Sequence, residues 1–154
     1  MTYTAWFMTK SREHPTFPDG ILSQHAHLAK GVADLRQAEA DGASWADLAW
    51  RLDDLVERVR LHFASEEDEM QRSGYPKLAE HRQHHATFLR RLTVLRAECD
   101  EQQTELMSSF VKSLETWLKN HERTADKDVL EFLGLLLPSS TIPTAARTPR
   151  DGDG

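Results

Sequence analysis

Apolar residues recur along this chain at spacings of three and four, the repeat of an α-helix, and the two-residue alternation of a half-buried strand is absent. Breakers divide the pattern into four long segments. FPDG precedes the first, ADGAS separates the first two, SGYP closes the second, and CDEQQT lies between the last two. The expectation is all-α, with four helices that share one core, because 154 residues suit one domain better than two.

The stripes can be read residue by residue. The first helix places Ile21, His25, Leu28, Val32 and Leu35 on one face. Ser44 caps the second, with Asp47 three residues on, and the stripe then runs Leu48, Leu52, Leu55, Val59, His62, Glu66 and Met70. Leu78, His81, His85, Phe88, Leu92, Leu95 and Cys99 form the third stripe, and Leu106, Phe110, Leu114, Trp117 and His121 the fourth. Every helix thus carries a polar donor on the face that should be core. In HFASEEDEM, residues 62–70, only Glu66 of four consecutive acids stays on the stripe, so Glu67, Asp68 and Glu69 are expected to face water. His27 is expected to be exposed, His84 falls at the margin of its stripe, and His14 has no partner that spacing suggests.

Composition narrows the chemistry. A formal charge of -6, with no basic stripe, argues against nucleic-acid or anionic-membrane partners. The single cysteine, Cys99, excludes an internal disulfide and a thiolate-rich metal site, so a metal would need histidine and carboxylate ligands. The first twenty residues are too polar for a signal peptide, and no apolar run approaches the roughly 18 residues of a membrane span. A soluble cytoplasmic protein is expected. Its organisation reads as an irregular N-terminal segment over 1–18, the helical domain over 19–137, and a disordered Pro/Ser/Thr/Gly-rich tail over 138–154.

One histidine on an apolar face is ordinarily a core residue with a satisfied hydrogen bond. Five histidines and a glutamate converging on one core are different, because each unpartnered buried polar group costs about 1–3 kcal/mol. A metal ion satisfies several neutral imidazoles and carboxylates at once.

Four motifs then stand in order on the four helices: QHAHL, HFASEE as HxxxE, YPKLAEHRQHH as HxxxH, and WLKNHERTAD as HxxxxD. Over roughly residues 21–130 the chain resembles the hemerythrin family. The resemblance implies an up-down-up-down antiparallel four-helix bundle and two iron ions joined by an oxo or hydroxo bridge. It also implies the ligands His25, His62, Glu66, His81, His85, His121 and Asp126. His81, His85 and His121 would hold one iron and His25 and His62 the other, with Glu66 and Asp126 spanning both. Asp126 lies five residues after His121, which on an ideal α-helix turns it about 140° away; a π-type bulge would bring it round.

In that arrangement the two-histidine iron is one ligand short, and the vacancy suits dioxygen, another small diatomic or a peroxide. Leu22, Phe63, Trp117 and Leu118 are expected to wall it. Leu22 stands where the family often has an aspartate, and Glu122 where an apolar residue commonly follows the last histidine. Five neutral imidazoles and only two carboxylates give the metals less negative charge than the carboxylate-rich diiron bundles receive. Reversible dioxygen binding for carriage, storage or sensing is therefore expected, with an oxidase, peroxidase or nitric oxide and peroxide scavenger as the alternative. A metal-responsive interaction module is a third reading. The sequence is silent on oligomeric state. Of the four acids, Glu66→Gln should impair metal loading, while changes at Glu67, Asp68 and Glu69 should not.

Overall fold

The structure, a computed structural model, describes residues 20–99 and 104–136. The expected N-terminal segment over 1–18, the expected tail over 138–154 and most of the third connector lie outside the described residues. Within them the chain forms α1 (Ile21–Ala40), α2 (Trp45–Ser73), α3 (Leu78–Glu98) and α4 (Thr104–His121), then a π-helical turn (Glu122–Asp126) that leads into α5 (Lys127–Phe132).

Local chemistry sets the boundaries. Ser44 Oγ accepts the Asp47 N–H at 3.3 Å, satisfying one of the orphan donors at the start of α2. α1 ends with the Ala43 N–H on the Ala38 carbonyl and the Gly42 N–H on that of Glu39; α2 ends likewise, Tyr75 reaching Met70 and Gly74 reaching Gln71. This closure needs a left-handed residue after the helix, and Gly42 (φ 72°) and Gly74 (φ 73°) supply it without a Cβ penalty. The tight turns return each helix beside the last. α1 packs on α2 and α4, and α3 packs on the same two, so the four helices close into an antiparallel bundle.

Burial follows the stripes, with one shift. Leu28, Leu35, Leu52, Val59, Leu92, Phe110 and Leu114 are fully buried. On α4 the buried face also takes Met107, Val111 and Leu118, whereas Leu106 and Trp117 are half-buried. The fourth stripe is thus centred about one residue later than the spacing predicts, because apolar side chains stand at both candidate positions. The core falls into two clusters. A large one runs through most of the bundle. A small one, Ile21, Met70, Tyr75, Val129 and Leu130, closes the end where α1 begins and α5 lies. No helix among the described residues is long and apolar enough to cross a membrane.

Gly31 lets α1 and α2 approach closely, since a Cβ built there would stand 2.7 Å from Leu55 Cδ2. Gly31→Val should therefore lower stability by about 1–3 kcal/mol through overpacking. Ala26→Val, on the exposed face of the same helix, should cost only about 0.5 kcal/mol, its helix-propensity difference. Urea unfolding of both variants checks this, and equal losses would contradict the close packing.

Candidate metal centre

Between the two apolar clusters the four helices turn their polar donors inward. α1 brings His25; α2 brings His62 and Glu66, one turn apart; α3 brings His81 and His85, also one turn apart; α4 ends on His121. The π-helical turn that follows adds one residue to the helical circuit, so that Asp126 is buried at 0 % exposure and Ala125 is displaced to a half-buried place.

These side chains form two overlapping groups: Glu66, His81, His85, His121 and Asp126 in one, His25, His62, Glu66 and Asp126 in the other. Within each, the donor atoms all lie within 4.8 Å of one another. Asp126 faces both groups. Its Oδ1 lies 2.8 Å from His121 Nε2 and 3.3 Å from His81 Nε2, while Oδ2 lies 3.1 Å from His25 Nε2. Glu66 Oε2 is 3.2 Å from His81 Nε2 and 3.3 Å from His85 Nε2. The Nε2 atom of His121 is 3.0 Å from that of His85 and 3.1 Å from that of His81.

Several of these close approaches are not hydrogen bonds. His25 Nε2, His62 Nε2, Glu66 Oε1 and both Asp126 oxygens are buried with no aligned hydrogen-bond partner, although imidazole nitrogens stand beside Asp126. Each such group costs about 1–3 kcal/mol when left unsatisfied. Lone pairs converging from imidazoles and carboxylates fit a cation, and an all-N/O donor set of this kind suits iron or zinc. Because both groups share Glu66 and Asp126, the residues fit two adjacent ions bridged by carboxylates.

The far ring nitrogens are fixed as well. His62 Nδ1 lies 3.0 Å from Gln24 Oε1, and Gln24 Nε2 donates to Ser65 Oγ at 3.0 Å. His85 Nδ1 lies 2.8 Å from Glu67 Oε1. Donation from each Nδ1–H leaves the Nε2 lone pair free for the centre. The sequence reading missed Gln24, which is only 2 % exposed, yet the signal was present: it stands three residues after Ile21 and four before Leu28, on the α1 stripe. Glu67 is a correction. Its side chain is 24 % exposed rather than solvated, because α3 packs along that flank of α2 and turns His85 toward it, whereas Asp68 remains at the surface.

The expected walls are distributed differently from the sequence reading. Phe63 stacks on His85 with centroids 3.8 Å apart and planes 2° apart. Trp117 stacks on His121 at 4.2 Å and on Phe88 at 3.9 Å. Trp117 therefore covers the three-histidine group, whereas Phe63 lies between the two groups, its ring also 5.7 Å from that of His62. Leu118 is buried in the larger apolar cluster. Leu22 is 50 % exposed, because Ile21 takes the inward position at the start of α1. His84 is exposed and belongs to neither group, with its ring 6.4 Å from that of His121. His27, expected in water, is half-buried and accepts from Arg58 at 2.6 Å.

Charge is balanced internally in the metal-free protein. Burial alone would lower the pKa of His81, but contacts with Asp126 and Glu66 outweigh it and raise the value to about 9. Burial pushes His62 down to about 4 and also lowers His121. Burial would raise Glu66 and Asp126, yet the surrounding histidines hold both below their ordinary values.

Comparison with known proteins gives a consistent picture. The family model described as the hemerythrin HHE cation binding domain matches residues 16–133. A bacteriohemerythrin of Methylococcus capsulatus is 28 % identical over 127 residues, covering 82 % of this chain and 94 % of that protein. A myohemerythrin of Riftia pachyptila is 32 % identical over 108 residues, or 70 % of this chain and 78 % of its own. A bacteriohemerythrin of Pseudomonas aeruginosa is 32 % identical over 107 residues, 69 % and 68 % of the two chains. No solved structure matches the chain significantly.

The pKa shifts fix the sign of a pH dependence. His81, raised from 6.5, contributes stability that is present below pH 6.5 and lost as pH climbs through about 9. His62, lowered from 6.5, costs stability as pH falls from 6.5 toward 4, because only the unfolded chain takes up the proton. The metal-free fold should therefore be most stable near pH 6.5 and weaken in both directions. Metal binding should release the His81 proton at pH 7 and remove the alkaline loss. Urea unfolding from pH 5 to 9, with and without chelator, checks the first point; metal uptake in a pH-indicator solution checks the second.

Proposed function

The chain belongs to the hemerythrin family, and from that premise we propose that its diiron centre binds dioxygen reversibly, for carriage, storage or sensing. In this reading His81, His85 and His121 would hold one iron, His25 and His62 would hold the other, and Glu66 and Asp126 would serve both. The observation that carries it is the unequal division of donors: five groups converge on one side and four on the other, with both carboxylates shared. Held there, iron would supply the reversible electron transfer that dioxygen binding needs.

The chain's own residues do the rest. Gln24 and Glu67 orient His62 and His85 from behind. Phe63 and Trp117 lie flat on His85 and His121 and keep water from that face. Ile21, Met70, Tyr75, Val129 and Leu130 close the end of the bundle against solvent. Five imidazoles against two carboxylates place little negative charge on the metals, which favours binding over oxidation of a substrate.

The second reading, an oxidase, peroxidase or scavenger of nitric oxide or peroxide, has one feature in its favour. Glu122, half-buried, places a carboxyl within electrostatic reach of His25, the position at which a proton could be handed to a reacting ligand.

Purified protein should contain about two irons per chain and melt at a lower temperature once they are removed, since binding confined to the folded state adds to stability. Reduced protein exposed to dioxygen should develop a charge-transfer spectrum that vanishes under vacuum and returns on re-exposure. Rapid bleaching with substrate-dependent cycling would support the enzymatic reading instead. Trp117→Phe should cost about 1–3 kcal/mol and, by uncovering His121, hasten autoxidation at full iron loading. An unchanged autoxidation rate would leave the indole a packing residue only.

A further inference from the structure

The two halves of the centre differ in the charge that stands behind them. On the three-histidine side, His85 Nδ1 lies 2.8 Å from a carboxylate oxygen of Glu67. On the two-histidine side, His62 Nδ1 lies 3.0 Å from the amide oxygen of Gln24, a neutral acceptor whose own nitrogen is tied to Ser65. A hydrogen bond from an imidazole N–H to an anion is shorter and about twice as strong as one to a neutral acceptor. It draws the proton away from the ring and leaves the opposite nitrogen the stronger donor. Glu67 is held in place for this: Arg82 Nε lies 3.3 Å from its second oxygen, and Arg82 donates in turn to Gln71 at 2.7 Å. That guanidinium is exposed and screened by water, so it steers the carboxylate more than it neutralises it.

We propose that Glu67 is a positioning residue that acts through His85 to make the two metals inequivalent. The ion on His81, His85 and His121 takes the higher charge first, and the ion on His25 and His62, whose His62 is backed by the neutral amide of Gln24, stays the more reduced. This rests on the two-iron assignment and is independent of which small molecule the centre binds. It also orders the centre for use: the more reduced ion is the one with fewer protein donors.

Glu67→Gln keeps a hydrogen-bond acceptor and removes the charge; Gln24→Glu is the converse change on the other side. Each is loaded with iron, and the two one-electron potentials are measured by spectroelectrochemistry, with Asp68→Asn as a surface control. Glu67→Gln should weaken the ferric preference of the first-oxidised ion about tenfold, a positive shift of about 59 mV in the lower potential, and speed loss of one iron to a chelator. Gln24→Glu should lower the upper potential and leave the lower one in place. Potentials in Glu67→Gln that match Asp68→Asn would overturn the proposal, even if the variant melts earlier, since a merely structural role moves stability and not potential. Should Glu67→Gln fail to load, Gln24→Glu decides alone, and an unchanged upper potential sinks the idea. A wild-type protein that takes up only one iron would instead defeat the two-iron assignment, a result visible before any variant is compared.

Discussion

Two carboxylates at 0 % exposure, Glu66 and Asp126, sit together in the middle of a helical bundle, and the rest of the structure answers to that constraint. Two like charges removed from water repel each other and lose their hydration, so they persist only if cations or hydrogen-bond donors surround them. Five imidazoles do so here. In the metal-free chain a proton on His81 bridges the two acids electrostatically, holding a place that a pair of metal ions fills with more charge.

Meeting that constraint requires donors from all four helices at one level of the bundle. The four-residue spacing of His62 with Glu66 and of His81 with His85 is ordinary helix geometry. Asp126 is the exception. Its five-residue spacing from His121 is reconciled with the others by a single π-helical turn, which widens the helix at the one place where an α-helical turn would have offered Ala125. Apolar clusters above and below keep the level dry, and Phe63 and Trp117 hold two of the imidazole rings flat.

The centre is asymmetric at two depths. In the inner layer one group has five donors and the other four. Behind them, an anion supports the richer group through His85, and a neutral amide supports the poorer one through His62. The inner difference is one neutral imidazole, because both carboxylates are shared, so the added negative charge on the five-donor side comes from Glu67 behind it. The poorer group sets two imidazoles against the two shared carboxylates. Glu122 is the residue that departs from this pattern, placing an acid near His25 where an apolar neighbour would have kept the site drier.

The sequence by itself determined the helices and the inward donors, because a 3.6-residue period fixes which side chains share a face before any partner is present. Ile21, Leu28, Leu52, His62, Glu66, His81, His85 and Phe110 could all be placed on buried faces in this way. The resemblance supplied Asp126, which the period alone would have turned aside. What lies between stripes was decided only by tertiary structure. Glu67 stands next to the stripe, and whether it meets water or His85 depends on how closely α3 lies against α2. Trp117 faces the core by period and Phe63 follows His62 in the chain, but which imidazole each covers depends on the relative rotation and height of four helices. Leu22 and Ile21 are adjacent at the first turn, where one of the two must point outward and the small apolar cluster selects Ile21. A helical period specifies direction around one axis; it carries no information about the distance to the next.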